Sequence, residues 1–276
     1  MITMGSAAAR SGGSVFEYEF MRNAFAAAAL VAVVAGCSGY FLVLRAQSFA
    51  GHALAHVGFA GATGAVLIGV SPLSGLLVAT VGAGLGMGLL GERLEGRDVA
   101  IGIVLAVSLA LGLLFLHFFT SYAAQATALL FGNLLGVDRV TLRTLAALAV
   151  LSLLALALLS RPLLFATLQP ELAEAKGVSL RLVSVLFLAI VAVATAECAQ
   201  IVGVLLVFGL MIAPAAAAQR FTRGLWRVLL LAVVLSLLSA WGGLVLAYYT
   251  DWPSSFWIVA LGALCYLAGV LAHPQR

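Results

Sequence analysis

Charge is what this chain has least of. Of its 276 residues only 9% are Asp, Glu, Lys or Arg, against 64% hydrophobic residues and a mean hydropathy of +1.19. A soluble domain carries about 25% charged residues, so a soluble fold is excluded and a chain that crosses a membrane many times is implied. Lysine is nearly absent: Lys176 is the only one. It follows Ala175 and precedes Gly177, so no GxxxxGK[ST] loop exists to hold a nucleoside triphosphate with backbone amides and a lysine. Cysteine is scarce too. Cys37, Cys198 and Cys265 are odd in number, far apart and set in apolar runs, a pattern that gives neither a disulfide framework nor a CxxC metal knuckle.

What is present is apolar sequence in long runs. A transmembrane helix takes about 20 apolar residues, and such runs fall roughly at 20–44, 50–69, 72–91, 98–119, 139–160, 181–197, 199–218, 225–248 and 254–272. The fold class is therefore all-α: a polytopic transmembrane helical bundle of about nine spans, within a range of eight to ten. Residues 123–137 are too short for a span and read as a re-entrant segment or half-helix. The stretch 181–218 reads as a hairpin of two short spans broken near Glu197–Gln200. Residues 1–15, small and polar, read as a disordered tail ahead of one membrane domain over 16–276. The apolar run from Phe20 is long enough to be a retained span rather than a signal peptide.

The net charge of +4 reads as topology, with no nucleic-acid partner expected. Lys and Arg concentrate in short cytoplasmic loops. Nine spans place Arg45, Arg93, Arg97, Arg161, Lys176, Arg181, Arg220, Arg223, Arg227 and Arg276 on one side, and Arg10, Arg22, Arg139 and Arg143 on the other. The first group is expected in the cytoplasm, which puts the 249–253 loop outside. Gly82, Gly84, Gly86 and Gly88 form overlapping GxxxG pairs, which suit close helix packing. The literal GxGxxG at 86–91 lies at the end of an apolar helix rather than after a strand, so it is no dinucleotide fingerprint.

Three features carry chemistry. His52 and His56 lie at i, i+4 in GHALAHVGFAGATGAVLIGV, an otherwise uncharged run, so both imidazoles share one helix face. Ionisable groups at membrane depth are costly and mark ion or substrate paths, and imidazole is a good transition-metal ligand. Ala53 stands where an HExxH metalloprotease has its glutamate, which argues against hydrolysis. Glu197 is a second ionisable group in an apolar stretch; it reads as a metal ligand, a proton-linked group or a hairpin-end residue facing water. His117, Asp138 and Asp251 read as interfacial or loop residues. In RPLLFATLQPELAEAKGVSLR, Pro170 suits the first turn of a short helix, with Glu171 and Glu174 near its positive end. Lys176 sits at the negative end, and Gly177 suits the left-handed closing position.

Three segments together resemble the membrane subunits of bacterial zinc, manganese and iron importers of the ATP-binding-cassette type: LVLRAQSFAGHALAHVGFAG, LQPELAEAKGV and QIVGVLLVFGLMIAPAAAAQ, the last followed by YYTDWPSS. With FEYEFMRNAF the resemblance covers about residues 16–272. It implies a homodimeric permease in the bacterial inner membrane that moves a divalent metal by alternating access. A cytoplasmic ATP-binding subunit would grip the coupling helix formed by Pro170, Glu171, Glu174, Lys176 and Gly177. An extracytoplasmic metal-binding protein would deliver the ion, and no cofactor would be bound permanently. His56 matches the family histidine, and His52 stands where the family shows aspartate. A second imidazole in place of a hard oxygen moves the preference toward zinc, with Glu197 as a candidate third ligand. The alternatives are a proton-coupled carrier or channel, with Glu197 as relay, and an intramembrane metal-dependent enzyme.

The missing P-loop sets a first test. The purified chain alone is expected to show no ATP hydrolysis above an empty-detergent control in a phosphate-release assay.

Overall fold

The computed structural model describes residues 19–90, 97–119 and 128–272, and these are overwhelmingly helical, with no strand among them. The tail at 1–15 and residues 123–127 of the expected half-helix lie outside the described residues. In chain order the helices are α1 (Glu19–Leu44), α2 (Ser48–Leu67), α3 (Pro72–Leu90) and α4 (Arg97–His117). A helical turn at 128–131 and a 3-10 turn at Leu134–Gly136 come next. Then follow α5 (Arg139–Leu168), α6 (Pro170–Ala175), α7 (Leu180–Val202), α8 (Val207–Phe221), α9 (Leu225–Thr250) and α10 (Ser254–Ala272).

Each of the nine apolar runs is a helix. Among the described residues seven helices are long and apolar enough to cross a bilayer; α2, diluted by glycine and its two histidines, and α8, with only 15 residues, complete the set. Two boundaries differ from the sequence reading. The run expected to end near residue 160 continues to Leu168, carrying Arg161 and Pro162 inside the helix. The break expected near Glu197–Gln200 lies instead after Val202, where Gly203 (φ 91°, ψ 153°) stops α7. That backbone region is essentially open to glycine alone. Glu197 is therefore well inside α7 and fully buried, which removes the reading of a hairpin-end residue facing water.

Local chemistry explains half of the helix starts. Pro72 and Pro170 open α3 and α6, and Pro253 precedes α10, positions where a missing N–H costs nothing. Asp138 caps α5 by accepting the Thr141 amide at 2.8 Å, and that bond holds its carboxyl below the usual carboxylate range. Ser179 caps α7 in the same way through Leu182.

Burial in this bundle is inverted relative to a soluble protein. Two thirds of the apolar windows of α1 and α7 are buried, against 22% for α4 and α10, so α1 and α7 form the centre. The α1 interior is built of small side chains, Ala24, Ala27, Ala28, Ala32 and Ala35, which allow the close backbone approach that substitutes for a hydrophobic driving force in lipid. Large side chains such as Ile103, Val150, Leu154, Leu158, Leu230 and Leu271 face outward. Gly84 and Gly88 of α3 pack on the α7 backbone at Leu188 and Val185, whereas Gly82 and Gly86 face open space; one glycine pair thus serves packing within the chain.

Contacts remote in sequence fix the direction of the helices. Glu19 pairs with Arg139 at 2.7 Å where α1 and α5 begin, and Arg45 bonds Thr167 at 2.9 Å where they end, so these two helices run parallel. Trp241 of α9 donates to the Phe25 carbonyl of α1 at 3.1 Å.

The α7–α8 break is filled by other backbone. The amides of Val204 and Leu205 donate to the carbonyls of Leu129 and Leu130 at 3.3 and 3.2 Å. Gly132 and Gly203 lie back to back, so that a Cβ on either would collide with the other's strand of chain. Ser255, at the start of α10, donates to the Phe131 carbonyl. The half-helix reading of 123–137 thus corresponds, over its described part, to a segment docked into the break.

Gly203→Ala is expected to cost about 3 kcal/mol from backbone strain and overpacking, read as a large fall in the thermal unfolding midpoint in detergent. Gly82→Ala, placed in open space, is expected to change stability by no more than about 0.5 kcal/mol.

Candidate functional site

Helix α2 carries the histidine pair and is held on several sides, against α3, α4, α7 and α8. The i, i+4 spacing delivers what the sequence implies: the two rings stand 4.8 Å apart, centroid to centroid, with their planes at 87°. His56 is 5% exposed, and its neighbours Ala53, Leu54 and Ala55 are wholly buried. His52 is half-buried and packs edge-on against Phe208 of α8, with centroids 5.0 Å apart. The Nδ1 atoms of both rings are buried and have no hydrogen-bond partner. A structural buried histidine normally satisfies its ring nitrogens, so two unsatisfied ones side by side are available to a ligand.

Glu197 is wholly buried in α7, and neither carboxylate oxygen has a hydrogen-bond partner. Gln200, one turn on, has its Oε1 buried in the same condition. An unpartnered carboxylate in apolar surroundings is costly. Next to it, Cys198 turns toward α1, with Sγ 3.8 Å from the Val31 carbonyl. Among the described residues no group of three or more His, Cys, Asp or Glu side chains gathers closely enough to hold a metal ion. The structure therefore joins His52 to His56 and does not gather Glu197 with them into a three-residue cluster.

The second functional element is α6. Pro170 opens it, and Lys176 and Gly177 close it. The Gly177 amide bonds Glu174 and the Val178 amide bonds Ala173, each at 2.9 Å, with Gly177 at φ 82°. This is the two-bond helix ending that glycine favours. Ala173 is buried against the bundle, whereas Glu171, Glu174 and Lys176 are exposed. Two leucines join them at the surface, Leu168 at 65% and Leu172 at 46% exposure. The Lys176 ammonium lies over the Phe165 ring at 5.8 Å. All five residues singled out here by sequence thus sit on one short, capped element.

Two site residues were not visible in the sequence. Phe208 is far from His52 in the chain, and the packing of α8 on α2 brings it alongside. Arg45 is one of several arginines near a span end, and nothing local marks Thr167 as its partner.

Helical throughout its described residues, with large apolar side chains facing outward, an imidazole pair packed inside and a capped helix at one end, the chain has the architecture of a multi-pass membrane subunit. The comparisons agree. The model of the ABC 3 transport family matches residues 17–273, and the chain belongs to that family. It is 28% identical over 263 residues to the manganese transport system membrane protein MntC of Halalkalibacterium halodurans, covering 95% of this chain and 90% of that one. It is likewise 28% identical over 261 residues to the manganese import system permease protein ScaB of Streptococcus parasanguinis, covering 94% and 93%. Among solved structures, PsaBC from Streptococcus pneumoniae in complex with Fab shares the fold, with a TM-score of 0.85 at 24% identity over 98% of this chain and 97% of that one.

Proposed function

We propose that this chain is the membrane permease of an ATP-driven importer that brings a divalent transition metal across the bacterial inner membrane. The observation that carries the reading is the ring-to-ring pair of imidazoles on α2, whose Nδ1 atoms are buried and unpartnered. Within a transport-family bundle they make a two-ligand station for the ion. An incomplete shell suits a transporter, because a closed four-ligand site holds zinc as structure rather than passing it on. Glu197 is the carboxylate this reading assigns to the ion's coordination in the loaded state. Its support is the packing of α7 on α2 and the two unsatisfied oxygens.

Zinc is the cargo favoured by the donor set, since two imidazoles suit a borderline metal better than a hard one. Manganese is the second reading, favoured by the names of MntC and ScaB. In either case the working unit is two copies of this chain with the path at their interface, two cytoplasmic ATP-binding subunits seated on α6, and an extracytoplasmic protein that hands over the metal. ATP hydrolysis belongs to the partner, in keeping with the missing P-loop.

Leu172 is exposed, so Leu172→Asp is expected to leave folding intact while removing co-purification of the ATP-binding subunit. Normal co-purification overturns the role given to α6.

The cargo is tested by radiolabelled zinc and manganese uptake into vesicles holding the assembled importer. His56→Ala is expected to lower uptake about tenfold or more with assembly unchanged. His52→Asp is expected to retain transport and shift selectivity toward manganese. Wild-type uptake by the double alanine variant reduces the pair to packing residues.

A further inference from the structure

We propose that the hydrogen bond between Arg45 and Thr167 is a mechanical link between the ATPase-coupling helix and the metal-carrying helix, which makes Arg45 a positioning residue for transport. The inference rests on the transport reading above and adds to it a route through the chain.

The route is short and each joint is visible. At one end, α5 and α6 share a single corner residue, Gln169. Its amide bonds Phe165 at 3.0 Å to close α5, and its carbonyl accepts the Ala173 amide at 2.9 Å to open α6. No slack separates the two helices. Lys176, at the far end of α6, folds back over Phe165, so α6 is held to α5 at both ends. A displacement of α6 is therefore felt at the last turn of α5 through the Gln169 corner.

That last turn contains Thr167. Its hydroxyl donates to the Leu163 carbonyl at 2.6 Å, which orients the oxygen to accept from Arg45 Nη1 at 2.9 Å. A hydrogen bond with a charged donor is roughly twice as strong as a neutral one, and both partners are part-buried, where competition from water is reduced. The guanidinium also lies over the ring of Phe187, with 5.4 Å from Cζ to the centroid. Arg45 thus touches α5 and α7 at once.

On its other side Arg45 leads directly into the histidine helix. The α1 end is a tight two-bond turn: the Ala46 amide bonds Val43 at 3.1 Å and the Gln47 amide bonds Leu42 at 2.9 Å. Ala46 takes a left-handed conformation, φ 53°, without being glycine. Such a residue persists only where its surroundings enforce it. Gln47 is buried and is the cap residue of α2, with His52 one turn into that helix. The Arg45 backbone is thereby joined to the start of α2 through a turn closed by two hydrogen bonds.

The test uses the full importer, with its ATP-binding and metal-delivering partners, reconstituted in vesicles, and reads metal transported per ATP hydrolysed. Thr167→Val removes the accepting hydroxyl with little change of shape. It is expected to lower that ratio about fivefold or more while ATP hydrolysis and subunit assembly stay near wild type. Thr167→Ser, which keeps the hydroxyl, is expected to restore the ratio, and Arg45→Lys to restore part of it. An unchanged ratio in Thr167→Val, or an equal fall in uptake and hydrolysis, overturns the link. If the wild-type complex takes up none of zinc, manganese and iron, the transport reading itself fails and takes the link with it. If it transports normally and Thr167→Val matches it, only the link fails.

Discussion

Everything in this molecule answers to one constraint: in hydrocarbon, each backbone N–H and C=O must find a partner within the protein. Helices satisfy it internally, and the chain is almost wholly helical where it is described. The instructive place is where a helix stops. α8 has 15 residues, about 22 Å of rise, which is less than the roughly 30 Å of a bilayer core. The Gly203 break therefore opens onto a helix too short to span a bilayer core by itself. Its loosened amides are not left bare, since the carbonyls of Leu129 and Leu130 accept from Val204 and Leu205. Two glycines back to back let the chains come close enough to do so. The docked segment is thus the price of breaking a helix in lipid.

That break also shapes the site. By ending α7 after Val202 and starting α8 at Val207, it sets Phe208 beside His52 and leaves Glu197 buried in the helix before it. Irregular backbone at membrane depth is tolerated where it is enclosed by protein or lines a cavity. Here it sits next to the ionisable groups of the membrane interior, and the fold and the transport reading meet at that point.

Much of this was legible from residue order. Nine apolar runs became nine helices because composition alone decides what enters lipid. The histidine pair was legible because i, i+4 geometry is local, and the α6 signals, Pro170 and Gly177, are local too. What was not legible depends on packing between distant segments. The helix break could not be placed by polarity, since Glu197 and Gln200 look like the natural boundary while Gly203 supplies the backbone conformation. Arg161 and Pro162 looked like a helix end, yet α5 runs through them, as transmembrane helices with proline do when neighbours satisfy the backbone. The Arg45–Thr167 bond spans 122 residues and has no signature in either stretch.

The single-residue corner at Gln169 has a further consequence, for how this chain tolerates changes of length. Each residue added to a helix turns everything beyond it by about 100°. An insertion beside Gln169 would swing Leu172 and Glu171 off the exposed side and drive Ala173 out of its buried seat, without altering a single side chain. Helical phase, more than residue identity, is what this corner depends on. Length variation in the chain belongs elsewhere, and 168–170 is the place where a neutral-looking insertion would turn the wrong face outward.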